Sequence, residues 1–517
     1  MPNEADTDDC RQFEWFRRYV PLLAWLIVIS VIVVIPLKIA SCGYLPPDDA
    51  LGDAAKGVSG KPWPEILAVG SSFKMDHHFG WHWLLREIYL GTHCGTDTLV
   101  VIEVAALFIG CCGAAALCLK RPEAWLAAMV IFCAWSGFFQ RIMIGRPLVL
   151  TITALLVILF AGQQGHLPSL KRWALLWMTP LITLAVFLHG VWYLWALPVA
   201  AFFLAREFRW GILLAASSIL ATLLSAALTG HPIESILQTV TLALRVEGIH
   251  ATQGTLVYEM RPASADFIAL LVLGGLIVLR QLARLEARPL SRSPAFWLAA
   301  LGWVLGCQTL RFWVDWGLPA LVVLVVSDLQ LFLGSRFAVN SFQRLGLVCA
   351  LAFTFYVAAT NDVNGRWTRN LTTQYLIPGN PDLNGWLPGK GGIIYSTDMT
   401  VFYQTFFKNP NADWRYVLGF ETAYMSDDDF KVYCDFITSG GDPRTLKPWL
   451  DKMRPEDRYV TRAPREAPPG IPQLEWNYGV SGIWIGRLPR TNAPPPAPTV
   501  PATMLRESPT DPVISAK

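Results

Sequence analysis

About eleven separate apolar runs, each close to the length of a membrane crossing, constrain this chain more than any other feature. A transmembrane helix needs roughly 20 mostly apolar residues, and 53% of the 517 residues are hydrophobic against 16% charged. The sequence therefore predicts an all-α polytopic membrane domain over residues 21–360 rather than a soluble globular protein. The runs lie at 21–40, 97–119, 123–139, 147–163, 172–189, 191–205, 210–229, 265–283, 295–310, 316–333 and 344–359.

Basic residues give the expected orientation, because Lys and Arg mark the loops that stay in the cytoplasm. Residues 1–20 are acidic and polar, without the basic region and cleavage site of a signal peptide, so we expect the first run to be retained. With this N-terminus in the cytoplasm, basic pairs and clusters fall in alternate loops, as expected for a bacterial inner (plasma) membrane protein. They are Arg17 and Arg18, Lys120 and Arg121, Lys171 and Arg172, Arg206 and Arg209, and the arginines of 280–292.

An odd number of spans places everything after about residue 360 outside the cytoplasm. Residues 361–490 contain strand-like stretches separated by Gly, Pro, Asn and Asp, which predicts a small extracytoplasmic α/β domain. Residues 491–517 are rich in proline and are predicted to be disordered. The acidic run at 427–429 is interpreted as the solvated start of a helix rather than as a calcium site.

The first outer loop, residues 41–96, is long enough to suggest a function. Its first half, "LPPDDALGDAAKGVSG", predicts a helix entered through prolines, with Asp48 or Asp49 at its N-terminus. Two interpretations of this pair stay open. In the first, one carboxylate caps the free backbone N–H groups and the other is merely solvated. In the second, one of the two carboxylates acts as a base or holds a divalent cation.

The second half of the loop, "PWPEILAVGSSFKMDHHFGWHWLLREIYLG", predicts an interfacial segment. Its aromatic residues suit the lipid headgroup region; they are Trp63, Trp81, Trp83 and Tyr89. Its histidines allow zinc on spacing alone, and contact with headgroups or a sugar is the alternative; they are His77, His78 and His82, next to Asp76. Cys42 and Cys94 flank the loop, and a disulfide between them is a further possibility.

The order of these features resembles the start of GT-C superfamily glycosyltransferases, in particular the protein O-mannosyltransferase and aminoarabinose transferase branch. A first span leads into "PDD", a helix, and then "HHFGWHWLLREIYLG"; "HHFG" departs from the family's "HPPL". The resemblance implies that Asp48 is the catalytic carboxylate and Asp49 its acidic neighbour. It also implies that His77 and His78 stand near the family's histidine and that Gly91 closes the helix.

GT-C enzymes take a sugar from a polyprenyl-phosphate carrier, so the resemblance implies a site for a lipid phosphate. Arginine suits that group because its planar fork binds phosphate oxygens and stays charged. The substrate-binding candidates on the outer side are Arg146, His189, Arg261 and Arg311. Snorkelling to lipid headgroups is the alternative for each arginine, and an ion pair with Asp315 is a second alternative for Arg311.

We therefore expect a membrane glycosyltransferase that moves a sugar from the lipid carrier to a lipid, glycan or protein acceptor, with no nucleic acid partner. A divalent cation, Mg²⁺ or Mn²⁺, is expected at Asp49 if the enzyme uses a metal. A transporter or flippase is one alternative, for which Glu103 and Asp328 within the apolar runs are the residues to follow. A non-catalytic scaffold for envelope assembly is another.

Overall fold

The computed structural model describes residues 17–70, 73–135, 137–163, 173–247, 261–262, 266–465, 468–480 and 482–489. Each of the eleven apolar runs forms a helix, which confirms the predicted class of an integral membrane protein. Helices are numbered along the chain. Five are long and apolar enough to cross a membrane: α1 (Val20–Ser41), α4 (Thr96–Leu117), α9 (Phe208–Leu228), α13 (Leu310–Arg336) and α14 (Phe342–Thr360).

The other six apolar helices have 10–17 residues, less than the roughly 20 that a straight crossing requires. They are α5 (Glu123–Ala134), α6 (Leu148–Gln163), α7 (Ala174–His189), α8 (Tyr193–Leu204), α11 (Phe267–Leu282) and α12 (Pro294–Gly306). The helices pack side by side, most extensively α12 against α13 and α7 against α9. Large apolar side chains such as Leu223 and Leu271 remain exposed on the outer faces, as expected where lipid is the solvent.

The first outer loop contributes two further helices, α2 (Asp49–Ser59) and α3 (Phe79–Thr92), and α10 (Pro232–Glu247) follows α9. The expected end of α3 at Gly91 is wrong. The helix continues to Thr92, and its C-cap residue His93 adopts the left-handed conformation with φ 51°. Cys42 and Cys94 are both free thiols, so the structure contains no disulfide between them.

Residues after α14 form the mixed α/β region that the sequence predicted. Helices α15 (Met399–Lys408), α16 (Asp427–Thr438) and α17 (Lys447–Lys452) pack with a five-stranded sheet. Its order is β2-β1-β3-β5-β4, parallel at β2-β1-β3 and antiparallel at β3-β5-β4. The strands are β1 (Ile393–Tyr395), β2 (Arg415–Tyr416), β3 (Arg458–Arg462), β4 (Glu475–Tyr478) and β5 (Ile483–Arg487).

The first outer loop is docked on this sheet rather than lying at the headgroups. Leu67 forms a parallel bridge with Tyr416 at the edge of the sheet, and Val69 forms an antiparallel bridge with Met425. Trp63 is 3% exposed and packs against aromatic rings of the C-terminal region. Trp81 is buried as well, so the headgroup placement expected for these two tryptophans is wrong. Loop and C-terminal region therefore form one layer that covers the outer end of the helices.

Candidate active site

The two leading carboxylates of the first outer loop are held by an arginine from the second. Asp48 is the N-cap residue of α2, but its side chain accepts no hydrogen bond from the helix. It therefore does not cap the helix in the way that the first interpretation expected. Instead, Nη2 of Arg146 lies 2.9 Å from Oδ2 of Asp48, and Nε of the same guanidinium lies 3.2 Å from Oδ2 of Asp49. One cation thus bridges both carboxylates.

The C-terminal region adds a phenol to this pair. The hydroxyl of Tyr403, on α15, donates a hydrogen bond to Oδ1 of Asp49. Burial of Tyr403 raises the pKa of its phenol, and the charge of Asp49 raises it further, so the hydroxyl keeps the proton that it donates. The sequence carried no signal for Tyr403, since its position follows only from the docking of α15 on α2. The side chains of Asp48 and Asp49 remain 25% and 21% exposed.

One helical turn further along α2, Asp53 begins a buried chain of charges. His82 lies between two carboxylates, with Nε2 2.8 Å from Oδ1 of Asp53 and Nδ1 2.5 Å from Oδ2 of Asp76. Burial alone would lower the pKa of His82, but Asp76 and Asp53 outweigh it and raise this pKa to about 9. Burial raises the pKa of Asp53 to about 6 against the opposing effect of His82. Burial also favours a higher pKa for Asp76, but the charge of His82 and its hydrogen bond outweigh burial and lower this pKa to about 2.

The predicted histidines lie together beside this chain. The rings of His77 and His78 are 4.0 Å apart between centroids, and those of His78 and His189 are 5.7 Å apart. His77 shares a hydrogen bond with the hydroxyl of Tyr424, and Nδ1 of His189 lies 3.0 Å from Oγ1 of Thr151. Burial lowers the pKa of His77 to about 4 and that of His78 well below its ordinary value. Both imidazoles are therefore neutral at neutral pH.

Arg311 faces the same histidines from the opposite wall. Its positive charge contributes to the lowered pKa values of His77 and His78. Its Nε lies 3.4 Å from Oδ2 of Asp315, so the ion pair considered as the alternative is present. Asp315 also binds Nε of Arg141 at 2.6 Å, within the π-helical turn Trp313–Gly317. Such turns interrupt a helix and frequently occur at functional sites.

Arg261 is the predicted site residue that the structure does not bring to this cluster. Its side chain is exposed, and its backbone oxygen accepts a hydrogen bond of 2.8 Å from the N–H of Leu310. Its backbone therefore stands beside the start of α13, next to Arg311, and its substrate-binding role stays a prediction. The neighbouring loop residues 248–260 fall outside the described residues.

A lipid-facing groove approaches the histidines between α7 and α9. It has a volume of about 520 Å³ and is lined by apolar side chains with Thr179 and Thr183. Phe187 lines both this groove and a smaller cavity that contains Met75 and His77. Phe187 is thus common to the groove and to the cavity that contains His77.

The Mg²⁺ or Mn²⁺ expected at Asp49 fits the described contacts poorly. Mg²⁺ requires an octahedron of oxygen ligands, whereas Arg146 already pairs with both carboxylates and Tyr403 already donates to Asp49. Among the described residues, the side chains that could hold a metal ion together are Asp53, His78 and His82. The metal-binding role of Asp49 stays a prediction, and no chemical step below depends on it.

The fold and site describe an integral membrane protein with a covered cluster of Asp, Arg and His at one end of its helices. No protein-family model matches the chain, and no curated protein matches it. Among solved structures, it is similar to the Archaeoglobus fulgidus oligosaccharyltransferase crystallised with a tethered acceptor peptide that contains the NVT sequon. The match has 11% identity and a TM-score of 0.45, covering 87% of this chain and 70% of the other.

Proposed function

We propose that this protein is a GT-C-type glycosyltransferase that moves a sugar from a polyprenyl-phosphate carrier to a hydroxyl of a lipid, glycan or protein acceptor at the outer face of the membrane. The observation that carries the proposal is the bridge from Arg146 to Asp48 and Asp49. It joins an accessible carboxylate pair from the first outer loop to the second, on the same side as the histidines and Arg311.

Asp48 is the proposed base. Asp49 forms an ion pair with Arg146 and accepts a hydrogen bond from the Tyr403 hydroxyl, whereas the ion pair of Asp48 with Arg146 leaves a quarter of its side chain exposed. An acceptor hydroxyl that approaches Asp48 gives up its proton to the carboxylate as its oxygen attacks the anomeric carbon. The bond from that carbon to the phosphate oxygen breaks, and the lipid phosphate leaves with the electron pair. Displacement in this single step inverts the anomeric centre.

The leaving phosphate needs positive charge or hydrogen-bond donors at its oxygens. His77 lines the small cavity that shares Phe187 with the groove between α7 and α9. The ring of His78 lies 4.0 Å from that of His77 between centroids, and the charge of Arg311 acts on both imidazoles. Arg146 has five N–H donors, enough to hold both carboxylates and one phosphate oxygen together. An apolar lipid tail in the groove would place its phosphate near these groups, with Phe187 at the boundary.

The decisive experiment is transfer from a labelled polyprenyl-phosphate sugar by the full chain in lipid vesicles. Asp48→Asn should lower the rate by at least about 100-fold, the usual contribution of a positioned base. Asp97→Asn is the matched control, because Asp97 is an exposed carboxylate of the same side that pairs with Lys408 at 2.8 Å. Unchanged transfer in both Asp48→Asn and Asp49→Asn would contradict the proposal.

The transporter alternative depends on Glu103, which is 1% exposed in α4 and has both carboxylate oxygens without a hydrogen-bond partner among the described residues. Asp328 gives it no support, since Arg280 binds both of its oxygens at 2.6 and 2.9 Å. If Glu103→Gln abolished movement of a labelled lipid or solute across vesicles while Asp48→Asn did not affect any activity, the transporter would replace the transferase.

A further inference from the structure

Three side chains near the acidic pair form a compact group, of which the proposed transfer uses only His78. Asp53 comes from α2, His78 immediately precedes α3, and His82 follows one helical turn later. One potential ligand atom of each lies within 4.8 Å of the others. Two separate helices thus bring two imidazoles and one carboxylate to a single point.

Two of these side chains have buried atoms with no hydrogen-bond partner among the described residues. They are Oδ2 of Asp53, a residue only 5% exposed, and Nδ1 of His78. A buried polar atom without a partner costs about 1–3 kcal/mol. Both atoms are acceptors when the imidazole is neutral at Nδ1 and the carboxylate is ionised. A cation between the two would satisfy both.

A fourth residue orients the two histidines. Asp76 accepts a hydrogen bond of 3.0 Å from the backbone N–H of His78 with Oδ1, and Nδ1 of His82 lies 2.5 Å from its Oδ2. This contact leaves Nε2 of His82 directed at Asp53. Carboxylates that bind the far nitrogen of a histidine in this way are the usual support of metal-ligating imidazoles.

From this geometry we propose that Asp53, His78 and His82 bind a zinc ion, with Asp76 as the positioning residue. Two imidazoles and one carboxylate suit Zn²⁺, whereas Mg²⁺ and Ca²⁺ take oxygen ligands. The ion takes the place of the proton between Nε2 of His82 and Oδ1 of Asp53. A tetrahedral site with bonds of about 2.0–2.1 Å separates its ligand atoms by roughly 3.3 Å, so the three side chains, whose ligand atoms lie within 4.8 Å of one another, would move closer together on binding. Three protein ligands leave a fourth position for water or a phosphate oxygen.

The site is tested on the purified full chain, stripped with a chelator and equilibrated with Zn²⁺ or Mg²⁺, by measuring metal content. We expect roughly one zinc per chain and no retained magnesium. Asp53→Asn and His78→Ala should lose the zinc, and Asp76→Asn should lower the affinity about 10- to 100-fold. The matched control is His231→Ala, because His231 is an exposed histidine outside the group; it should retain zinc at the wild-type level.

Two results would overturn the site: a wild-type chain that retains no zinc, or variants of Asp53 and His78 that retain as much as His231→Ala. Loss of folding in a variant is excluded by its elution as a single species and its thermal midpoint. The visible spectrum of the wild-type chain loaded with Co²⁺ adds a test that needs no variant, since tetrahedral coordination absorbs far more strongly than octahedral coordination. These measurements use neither donor nor acceptor, so their failure is separate from failure of the transferase proposal.

Discussion

Nη2 of Arg146 lies 2.9 Å from Oδ2 of Asp48, across the gap between two outer loops. The same guanidinium lies 3.2 Å from Asp49. Removing Arg146 would therefore leave both carboxylates without their cation in a largely covered site. We therefore expect Arg146 to position the base even if it also meets the phosphate.

Arg146→Lys tests this positioning, because lysine keeps the charge but lacks the planar fork that binds two carboxylates. Transfer should fall at least about tenfold, with a larger effect on kcat than on KM for the donor. Arg146→Ala should also lower the free energy of unfolding by about 1.5–3 kcal/mol, the usual worth of a hydrogen bond to a charged group.

A double-mutant cycle with Asp48→Ala separates the pair from its surroundings. Additive losses of stability in Arg146→Ala and Asp48→Ala would contradict the contact.

Tyr403→Phe removes only the hydroxyl that donates to Asp49. We expect transfer to fall at least about tenfold, because a hydrogen bond to a charged group is worth about 1.5–3 kcal/mol. Steady-state kinetics give the measurement. Tyr375→Phe is the control, since Tyr375 belongs to the same outer region and touches neither carboxylate; an equal loss in both variants would show that the effect is unspecific.

Gly190→Ala tests whether the histidine cluster needs the close approach of α7. Gly190 has φ 79°, and an added Cβ would meet the backbone oxygen of His77 at 2.5 Å. Gly230 has nearly the same conformation, φ 75°, with open space around it. Both alanine variants carry the cost of a left-handed residue, about 1–2 kcal/mol, but only Gly190→Ala should displace His77 and reduce transfer. Equal activity of the two proteins would show that the contact is unimportant.

Glu123→Gln tests a buried ion pair at the opposite end of the helices. Arg344 is 2% exposed and binds both oxygens of Glu123 at 2.7 and 2.9 Å. Removing one partner of such a pair leaves a buried charge and costs about 3–5 kcal/mol, so the thermal midpoint should fall by several degrees. The control Asp435→Asn, from the exposed pair with Lys431, should change stability by less than about 1 kcal/mol; a similar loss in both would argue against the buried pair.

The proposed topology is checked by labelling introduced cysteines with a membrane-impermeant reagent in intact cells. Ser439 and Ser335 are both exposed, the first after α16 and the second near the end of α13. Ser439→Cys should react from outside and Ser335→Cys only after lysis, with the wild-type chain giving the background. The reverse pattern would invert the orientation predicted from the basic residues.

The apolar runs determined the helices because a bilayer requires continuous apolar segments, and such segments can be read without knowing their neighbours. The same holds for α2, whose start at Asp49 follows from the prolines and acidic pair before it. The ends of α3 and α5 do not follow from the sequence in the same way, because the chain turns at His93 and after Ala134.

The contacts between the site residues could not be predicted from the sequence in this way. The sequence indicated Asp48, Asp49 and Arg146 as residues of one face, but only tertiary structure joined them through a single guanidinium and added Tyr403 from α15. Tertiary structure also makes Asp53 of α2 a partner of His82. These outcomes depend on the docking of separate segments, and distances between segments distant along the chain are fixed by packing in three dimensions rather than by any local pattern of residues.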